Sequence, residues 1–274
     1  MFRFFRYNSN LKPMIVKSII IYPIKGMKGT EVKSAVNLER GFENDRRYML
    51  IDKNNTFISQ RSHPILALVH PEIITGQIRI SYCDVSFSFP LTQTKEEIVE
   101  ATLFDNIVNG TLVSKALDEQ FSKILNDDVR LIKMNENNVR NKKLIKGPAS
   151  AEVSFADGYP YLIAGSASLD QLNDKLDNPV LMDRFRPNIV VETLVPHEED
   201  NWESIQIGSA KMMVIKPCAR CPVVTINQQT AEKSKDTLKT LSTYRKKENK
   251  VFFGANAISL GNSQISVGDE VVAL

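Results

Sequence analysis

Short runs of strand-forming residues follow one another through the first 90 residues, separated by turn residues. The runs predicted as strands are Val16–Pro23, Val32–Leu38, Arg46–Asp52, Thr56–Ser59, Gln77–Tyr82 and Val85–Phe89. Parallel strands need crossover connections of a dozen or more residues, usually helical, and this spacing leaves no room for them. Apolar and polar residues alternate in Val85–Phe89, which indicates one buried face. The first half is therefore predicted to be a small β-barrel or sandwich.

The second half mixes helices with strands. Ser114–Leu125 has apolar residues at helical spacing, and further helices are predicted from Ser166 or Ser168 to about Leu176 and over Leu238–Tyr244. The strands predicted in this half are Val129–Ile132, Asn188–Glu192, Ser204–Ile207, Met212–Ile215, Val223–Ile226, Val251–Phe253, Gln264–Val267 and Glu270–Ala273. The fold class is therefore mainly β with a few helices (α+β).

A change from all-strand to mixed sequence places a domain boundary near residues 95–110, which gives domains 15–105 and 106–274. Residues 1–14 are basic and aromatic, lack a secretory signal and are predicted to be a disordered extension. The polar segment 135–150, with its basic run 140–143, is predicted to be a solvated loop.

Charge and cysteine content exclude several classes of protein. The 35 basic and 32 acidic residues leave a formal charge of +3, too balanced for a chain that binds nucleic acid by neutralising phosphates. Three cysteines do not make a disulfide framework, so a reducing cytoplasm is expected. No run approaches the roughly 18 apolar residues of a transmembrane anchor.

The segment Pro217–Pro222 places two thiols three residues apart with an arginine between them. Structural zinc needs four ligands, and none of the three histidines is paired at ligand spacing. A redox pair needs a helix after the first cysteine, whereas β-branched residues follow here. A third interpretation is a single thiolate that binds a soft metal, with its charge favoured by Arg220. Two cysteines packed as small apolar side chains remain the alternative.

A second candidate site is Asp183–Asn188. In an extended chain Arg184 and Arg186 point to the same face, where their guanidiniums match a phosphate or carboxylate. The alternative is that each arginine pairs with a nearby acid such as Asp183.

Three further segments are weaker candidates. The glycines of Tyr22–Gly29 let backbone amides approach an anion, although the motif alone favours a basic hairpin turn. Asp45 could form a surface salt bridge with an adjacent arginine, a contact of little energy. Asp157–Tyr161 is a turn whose backbone amides could touch a ligand, or a plain turn.

Taken together, the motifs YPIKG, GFENDRRYML, ISQR, ADGYP, ASLDQLN, FRPNIVVE, CARCPVVTIN and FGANA resemble those of the MOSC superfamily of molybdenum-cofactor proteins. The resemblance runs from about Ile15 to Leu274. It is strongest to amidoxime-reducing components and bacterial N-hydroxylated-base reductases. It implies a MOSC-type β-barrel preceded by a smaller β-barrel domain, and a molybdenum cofactor (Mo-molybdopterin), not pyridoxal phosphate.

The resemblance also implies roles for individual residues. Cys221 is the implied molybdenum ligand and catalytic residue, and Cys218 has no assigned role. The implied cofactor-binding residues are Lys25, Gly26, Arg46, Asp157, Gly158, Tyr159, Arg186, Asn188, Ala219 and Asn256. Gly26 stands where relatives often have serine, and Asn256 where some have tyrosine.

The activity implied is reduction of a small N-hydroxylated compound to an amine or amidine. Its electrons are expected from a separate ferredoxin-, flavodoxin- or cytochrome b5-like protein, because three cysteines cannot supply the four thiolates of an iron–sulfur cluster. Other MOSC proteins carry sulfur or cofactor to partner enzymes without catalysis, and this alternative stays open at the level of sequence.

Overall fold

The computed structural model of the chain describes residues 13–95, 97–135 and 140–274. Its strands are β1 Met14–Ile21, β2 Thr30–Val32, β3 Ser34–Leu38, β4 Gly41–Phe42, β5 Tyr48–Asp52, β6 His70–Ile74, β7 Gln77–Tyr82, β8 Val85–Pro90, β9 Ile98–Leu103, β10 Asn106–Leu112, β11 Val129–Met134, β12 Asn141–Lys143, β13 Ser150–Glu152, β14 Tyr161–Gly165, β15 Ile189–Glu192, β16 Ser204–Ile207, β17 Ala210–Ala219, β18 Lys246–Lys247, β19 Lys250–Ser259, β20 Ser263–Ser266 and β21 Glu270–Ala273. Its α-helices are α1 Lys115–Leu125, α2 Ser166–Asn173 and α3 Asp236–Tyr244.

The largest sheet closes on itself as a barrel. Its strands follow the order β14-β15-β1-β21-β16-β17-β19, and β19 pairs with β14 to complete the circle. Alternate residues of these strands point inward and form a core that includes Ile19, Ile205 and Val214. Strand β1 comes from the start of the chain, so the barrel joins both ends of the sequence.

Smaller sheets form a second body of β structure. β5-β11-β10-β9 is one antiparallel sheet, and β6-β7-β8 is another. One face of α1 packs with both, through a core that contains Leu117 and Phe121. The alternation in β8 leaves Phe89 buried in this core, and Cys83 lies in the tight turn between β7 and β8 with a positive φ of 46°. The protein is therefore mainly β, with β-barrels, as the sequence predicted.

Several local predictions were wrong. Pro222–Thr225 forms a 3-10 turn instead of the strand predicted over Val223–Ile226, because proline fixes φ and lacks a ladder donor. Thr56–Ser59 makes only isolated bridges. The predicted loop 135–150 contains β12, which pairs with β13, and its residues 136–139 lie outside the described residues.

The predicted domain division near residue 105 falls in the turn between β9 and β10 and stays a prediction. The predicted extension 1–14 falls almost entirely outside the described residues. No helix in the described part of the chain is both long enough and apolar enough to cross a membrane.

Candidate functional site

The turn after β1 places Lys25 inside the protein. Its backbone N–H donates to the Tyr48 carbonyl at 2.8 Å, and Gly26 adopts a positive φ of 85° that favours glycine. The Lys25 side chain is only 5 % exposed and forms an ion pair with Asp157. Burial lowers the pKa of Lys25, an effect that the Asp157 charge opposes.

Arg46 lies just before β5 with a positive φ of 51°. Its side chain donates to the Asp45 carboxylate at 2.5 Å, to the Asn188 amide oxygen at 3.1 Å and to the Arg186 carbonyl at 3.4 Å. Asp45 is completely buried and also accepts the Tyr22 backbone N–H at 2.9 Å. The pair of Asp45 and Arg46 is therefore an internal support, and not a surface salt bridge.

Asn188 ties this support to the barrel. Its amide oxygen also accepts the Leu162 N–H of β14 at 3.3 Å, and its amide nitrogen donates to the Ile20 carbonyl of β1 at 3.2 Å. Asn188 is 1 % exposed, so its amide group forms its hydrogen bonds with the protein and not with solvent. The structure therefore gives Asn188 the task of fixing Arg46.

The Arg186 guanidinium forms no ion pair with any described side chain. The backbone of Arg186 is left-handed, with a φ of 56°. Its guanidinium lies 4.3 Å from the centre of the Tyr22 ring, and the Arg46 guanidinium lies 4.4 Å from the centre of the same ring. No described side chain accepts a hydrogen bond from the Arg186 guanidinium, and Asp183 does not pair with it. Burial lowers the pKa of Arg186, and the like charge of Arg46 adds to this effect.

The loop before β14 is held by an arginine that the sequence analysis assigned to solvent. The Arg140 side chain donates to the carbonyls of Ser154 at 3.1 Å, Ala156 at 2.6 Å and Asp157 at 3.3 Å. Desolvation opposes ionisation of Asp157, but Lys25, Arg46 and Arg186 hold its pKa at about 2. Arg140 thus fixes the loop that carries the counter-charge of Lys25.

The two remaining residues of this loop differ in burial. Gly158 has open space around its Cα, and no described atom lies within 4 Å of where a side chain would begin. The Tyr159 side chain is buried, and the Lys216 ammonium lies 5.4 Å from its ring centre.

The two central cysteines lie at the end of β17. Arg220 donates to the Cys218 sulfur at 3.2 Å and to the Phe185 carbonyl at 2.7 Å. Cys221 is half-buried, begins the 3-10 turn, and its thiol forms no hydrogen bond with the described residues. Arg220 therefore contacts the sulfur of Cys218. The Cys221 thiol is left without a hydrogen bond to any described residue.

The geometry separates the interpretations of these cysteines. No group of three or more His, Cys, Asp or Glu side chains within the described ranges could hold a metal ion. Cys218 lies in a strand, and no helix N-terminus follows it to stabilise a thiolate. A single thiolate ligand is the interpretation that this arrangement favours.

Buried contacts join the cysteine segment to the cationic turn. Gln60 and Gln228 donate to one another's amide oxygens at 2.9 Å, and Gln60 also donates to the Gly26 carbonyl at 2.8 Å. Arg220 reaches Phe185, the neighbour of Arg186. The segment after Cys221 is thereby connected to Lys25 and Arg186.

Two predicted residues lie farther along the strands. Ala219 is the last residue of β17 and pairs with Phe252, and Asn256 lies in β19 opposite Leu162 of β14 and Lys216 of β17.

Sequence reasoning missed five residues of this region: Tyr22, Asp45, Gln60, Arg140 and Gln228. Each lies within or beside a segment discussed above, but each has a hydrogen-bond partner at least 14 residues away in the sequence.

The charges of the region fit an anionic group bound by a thiolate. The cations Lys25, Arg46, Arg140 and Arg186 outnumber the carboxylates of Asp45 and Asp157, the acids that interact with them most strongly. Among the described residues, none accepts a hydrogen bond from the Arg186 guanidinium and none forms one with the Cys221 thiol. The residues present therefore suit a cofactor that brings negative charge and a soft metal.

Family models match nearly the whole chain. The MOSC N-terminal beta barrel domain matches residues 14–128, and the MOSC domain matches residues 150–272. The chain is a MOSC-domain protein. The two matches together contain Lys25, Arg46, Arg186 and Cys221.

Curated relatives of this MOSC protein include a mitochondrial amidoxime-reducing component and several molybdenum cofactor sulfurases. It is 27 % identical to mitochondrial amidoxime-reducing component 1 of Danio rerio, over 89 % of this chain and 79 % of the relative. It is 30 % identical to the molybdenum cofactor sulfurase of Homo sapiens, over 96 % of this chain. The chain spans about a third of the length of the sulfurases that it matches. Among solved structures, the YuaD protein of Bacillus subtilis aligns over 95 % of this chain and 94 % of its own, with a TM-score of 0.45 and 10 % identity.

Proposed function

We propose that this MOSC protein binds the molybdenum cofactor and reduces N-hydroxylated compounds to amines or amidines. The observation that carries the proposal is Arg186, a half-buried cation without an acceptor, connected through Phe185 and Arg220 to the free thiol segment of Cys221. Because an unpaired guanidinium in a partly desolvated site is costly, an anionic group is the natural occupant.

Each residue has a task in this proposal. Cys221 supplies a thiolate ligand to the metal, and Lys25, Arg46 and Arg186 offset the negative charge of the pterin phosphate. Asp157 and Asn188 hold Lys25 and Arg46 in place. The Arg140 bonds keep the loop of Asp157 against the site.

When bound, the cofactor would supply the two-electron redox chemistry that cleaves an N–O bond. The balance is one N-hydroxyl group, two electrons and two protons, giving an N–H group and one water. The protein binds the small substrate and excludes competing ligands. The electrons come from a separate ferredoxin-, flavodoxin- or cytochrome b5-like donor, because the three cysteines of the chain cannot hold a cluster of their own.

A carrier of sulfur or cofactor is the second candidate function. It is supported by the similarity to molybdenum cofactor sulfurases and by the same free Cys221, which could hold a persulfide.

The test is made on protein produced in a host that synthesises the cofactor. We expect about one molybdenum per chain, and conversion of an amidoxime to its amidine with a chemical reductant. Cys221→Ser should lose molybdenum or activity, whereas Cys218→Ser, the matched control, should keep both. Loss in both variants would indicate a redox pair. A molybdenum-loaded protein that is inactive on several N-hydroxylated compounds, but transfers sulfur or cofactor to an apo-enzyme, would establish the carrier.

A further inference from the structure

A second cleft lies on the side of the barrel where α2 and α3 pack. Its volume is about 980 Å³, within the range of small-molecule sites. Its lining includes Lys175, Arg184, Lys233, Thr237, Lys239 and Thr240. Lys25, Arg186 and Cys221 do not line this cleft.

Arg184 is the unusual residue of the cleft wall. It is 8 % exposed, and its guanidinium forms no hydrogen bond or ion pair with any described residue; one terminal nitrogen is completely buried and unpaired. The sequence analysis expected Arg184 and Arg186 to share a face. The 3-10 turn Met182–Phe185 and the left-handed backbone at Arg186 instead send Arg184 to this cleft and Arg186 to the Tyr22 ring.

None of the acids around Arg184 and the cleft pairs with its guanidinium in the described structure. Asp183 accepts from the Gln229 amide at 2.5 Å, Glu232 accepts from the Thr230 hydroxyl at 3.1 Å and Asp236 from the Ser234 hydroxyl at 2.7 Å. Asp177 also lines the cleft, and it too forms no ion pair with Arg184. Burial lowers the pKa of Arg184, an effect that the Asp183 charge opposes only in part.

Exposed lysines add to the charge of the cleft. Lys175, Lys233 and Lys239 line it from three different segments, and Thr240 follows Lys239 in α3. The Lys175 ammonium lies 5.5 Å from the Tyr244 ring centre, and that of Lys233 donates to the Arg61 carbonyl at 3.5 Å. A desolvated guanidinium, flexible ammonium groups and hydroxyl donors are together the set that binds a phosphate dianion.

We propose that this cleft binds a small phosphate-bearing molecule, with Arg184 as its buried anchor and Lys239 at its mouth. The size of the cleft leaves room for an organic group beside the phosphate, and Asp177 and Glu232 provide acceptors for its hydroxyl or amino groups. The proposal does not depend on the function assigned to Cys221.

The experiment is calorimetric titration of the full chain with inorganic phosphate and with glycerol 3-phosphate, each compared with chloride at equal ionic strength. The Arg186→Gln background is used throughout, so that phosphate bound near Tyr22 does not contribute. We expect saturable binding, tighter for the ester. Arg184→Gln should weaken it about tenfold or more, the loss expected for one charge-assisted contact.

Two further variants keep the proposal falsifiable. Lys239→Glu changes an exposed residue that cannot affect folding strongly, and should also weaken binding of both probes. Arg79→Gln, in the distant β7 strand, is the matched control and should leave binding unchanged. Binding that is equal in the Arg184→Gln, Lys239→Glu and control proteins would overturn the proposal, as would the absence of saturable binding to both probes.

Discussion

At the scale of single residues, the site depends on two arginines with left-handed backbone. Both Arg46 and Arg186 have a positive φ, a conformation that costs roughly 1 kcal/mol or more for a residue with a Cβ. Neither motif signals this conformation, because it is imposed by hydrogen bonds to distant residues such as Asn188. The sequence could therefore identify both arginines as candidates, but not predict that Arg46 would be paired internally and Arg186 left unpaired.

This difference predicts different consequences of removing each charge. Arg186→Gln should weaken cofactor retention about tenfold or more, because one charge-assisted contact is lost. It should lower the stability of the cofactor-free protein only slightly, since the Arg186 guanidinium loses its contact with the Tyr22 ring but no hydrogen-bond acceptor among the described residues, and its repulsion by Arg46 is relieved. Molybdenum content after dialysis and thermal unfolding of the apo-protein measure the two effects.

Arg46→Gln provides the comparison. It should lower apo-protein stability, because it leaves Asp45 buried beside a neutral amide. Equal losses of stability in the two variants would show that Arg186 has a structural partner.

His197 makes a separate prediction about pH. It is buried against Phe253 with both ring nitrogens unpaired, and burial, reinforced by Arg245, lowers its pKa to about 4. Between pH 6.5 and 4 the unfolded chain binds a proton that the folded chain does not, so stability falls as the pH falls through this range. The full difference corresponds to roughly 3 kcal/mol at 1.36 kcal/mol per unit.

The matched variant is His197→Asn, because asparagine tolerates the positive φ of 61° at this position. Denaturant unfolding at pH 7.5 and pH 5 should show a larger loss of stability in the natural protein than in the variant. Parallel losses would mean that His197 titrates normally in the folded protein.

At the scale of elements, the connection between the cysteine segment and the cationic turn was not predictable from local pattern. The Gln60–Gln228 pair joins residues 168 positions apart. Nothing in the sequence around either glutamine distinguishes it from a glutamine exposed to solvent. The wrongly predicted strand over Val223–Ile226 has a similar cause. β-branched residues favour strands on average, but Pro222 and the backbone bond from Val224 to Cys221 form a 3-10 turn.

The glutamine pair predicts a coupling between these two elements. Gln228→Leu should destabilise the protein by about 1–3 kcal/mol, because the buried Gln60 amide oxygen loses its donor, while the Gln60 amide nitrogen keeps its bond to the Gly26 carbonyl. The double variant Gln60→Leu/Gln228→Leu should recover part of the loss, since apolar groups replace both partners. Denaturant midpoints of the single and double variants test this. Strictly additive losses would indicate that the two amides act independently.

At the scale of the whole molecule, the predicted fold class and the presence of β-barrels are confirmed, but the route of the chain through them was not foreseen. Strand patterns alone do not tell which strand pairs with which, and β1 lies between β15 and β21, strands more than 160 residues away. The strand Tyr161–Gly165 was also missed: it is buried along its whole length and so lacks an alternating pattern.

Closure of the barrel requires a glycine at the seam between β14 and β19. Gly254 has a φ of 70°, and a Cβ there would lie 2.7 Å from the Ile163 carbonyl oxygen of β14. A backbone atom cannot move away without opening the β14–β19 ladder, which includes the Ile163–Ala255 pair. Opening this seam would also disturb the Leu162 carbonyl that accepts the Asn188 N–H, and hence the support of Arg46.

We therefore expect Gly254→Ala to lower the free energy of unfolding by far more than its positive φ alone would. Gly76→Ala is the matched control, because Gly76 has a φ of 77° with no atom within 4 Å of the added Cβ. The control should lose roughly 1–2 kcal/mol, the cost of left-handed backbone for alanine. Gly254→Ala should lose several kcal/mol or fail to fold, and any folded fraction should retain less cofactor. Similar unfolding midpoints for the two variants would show that β14 and β19 can separate locally without a loss of stability. Closure of the barrel would then not be what holds the site together.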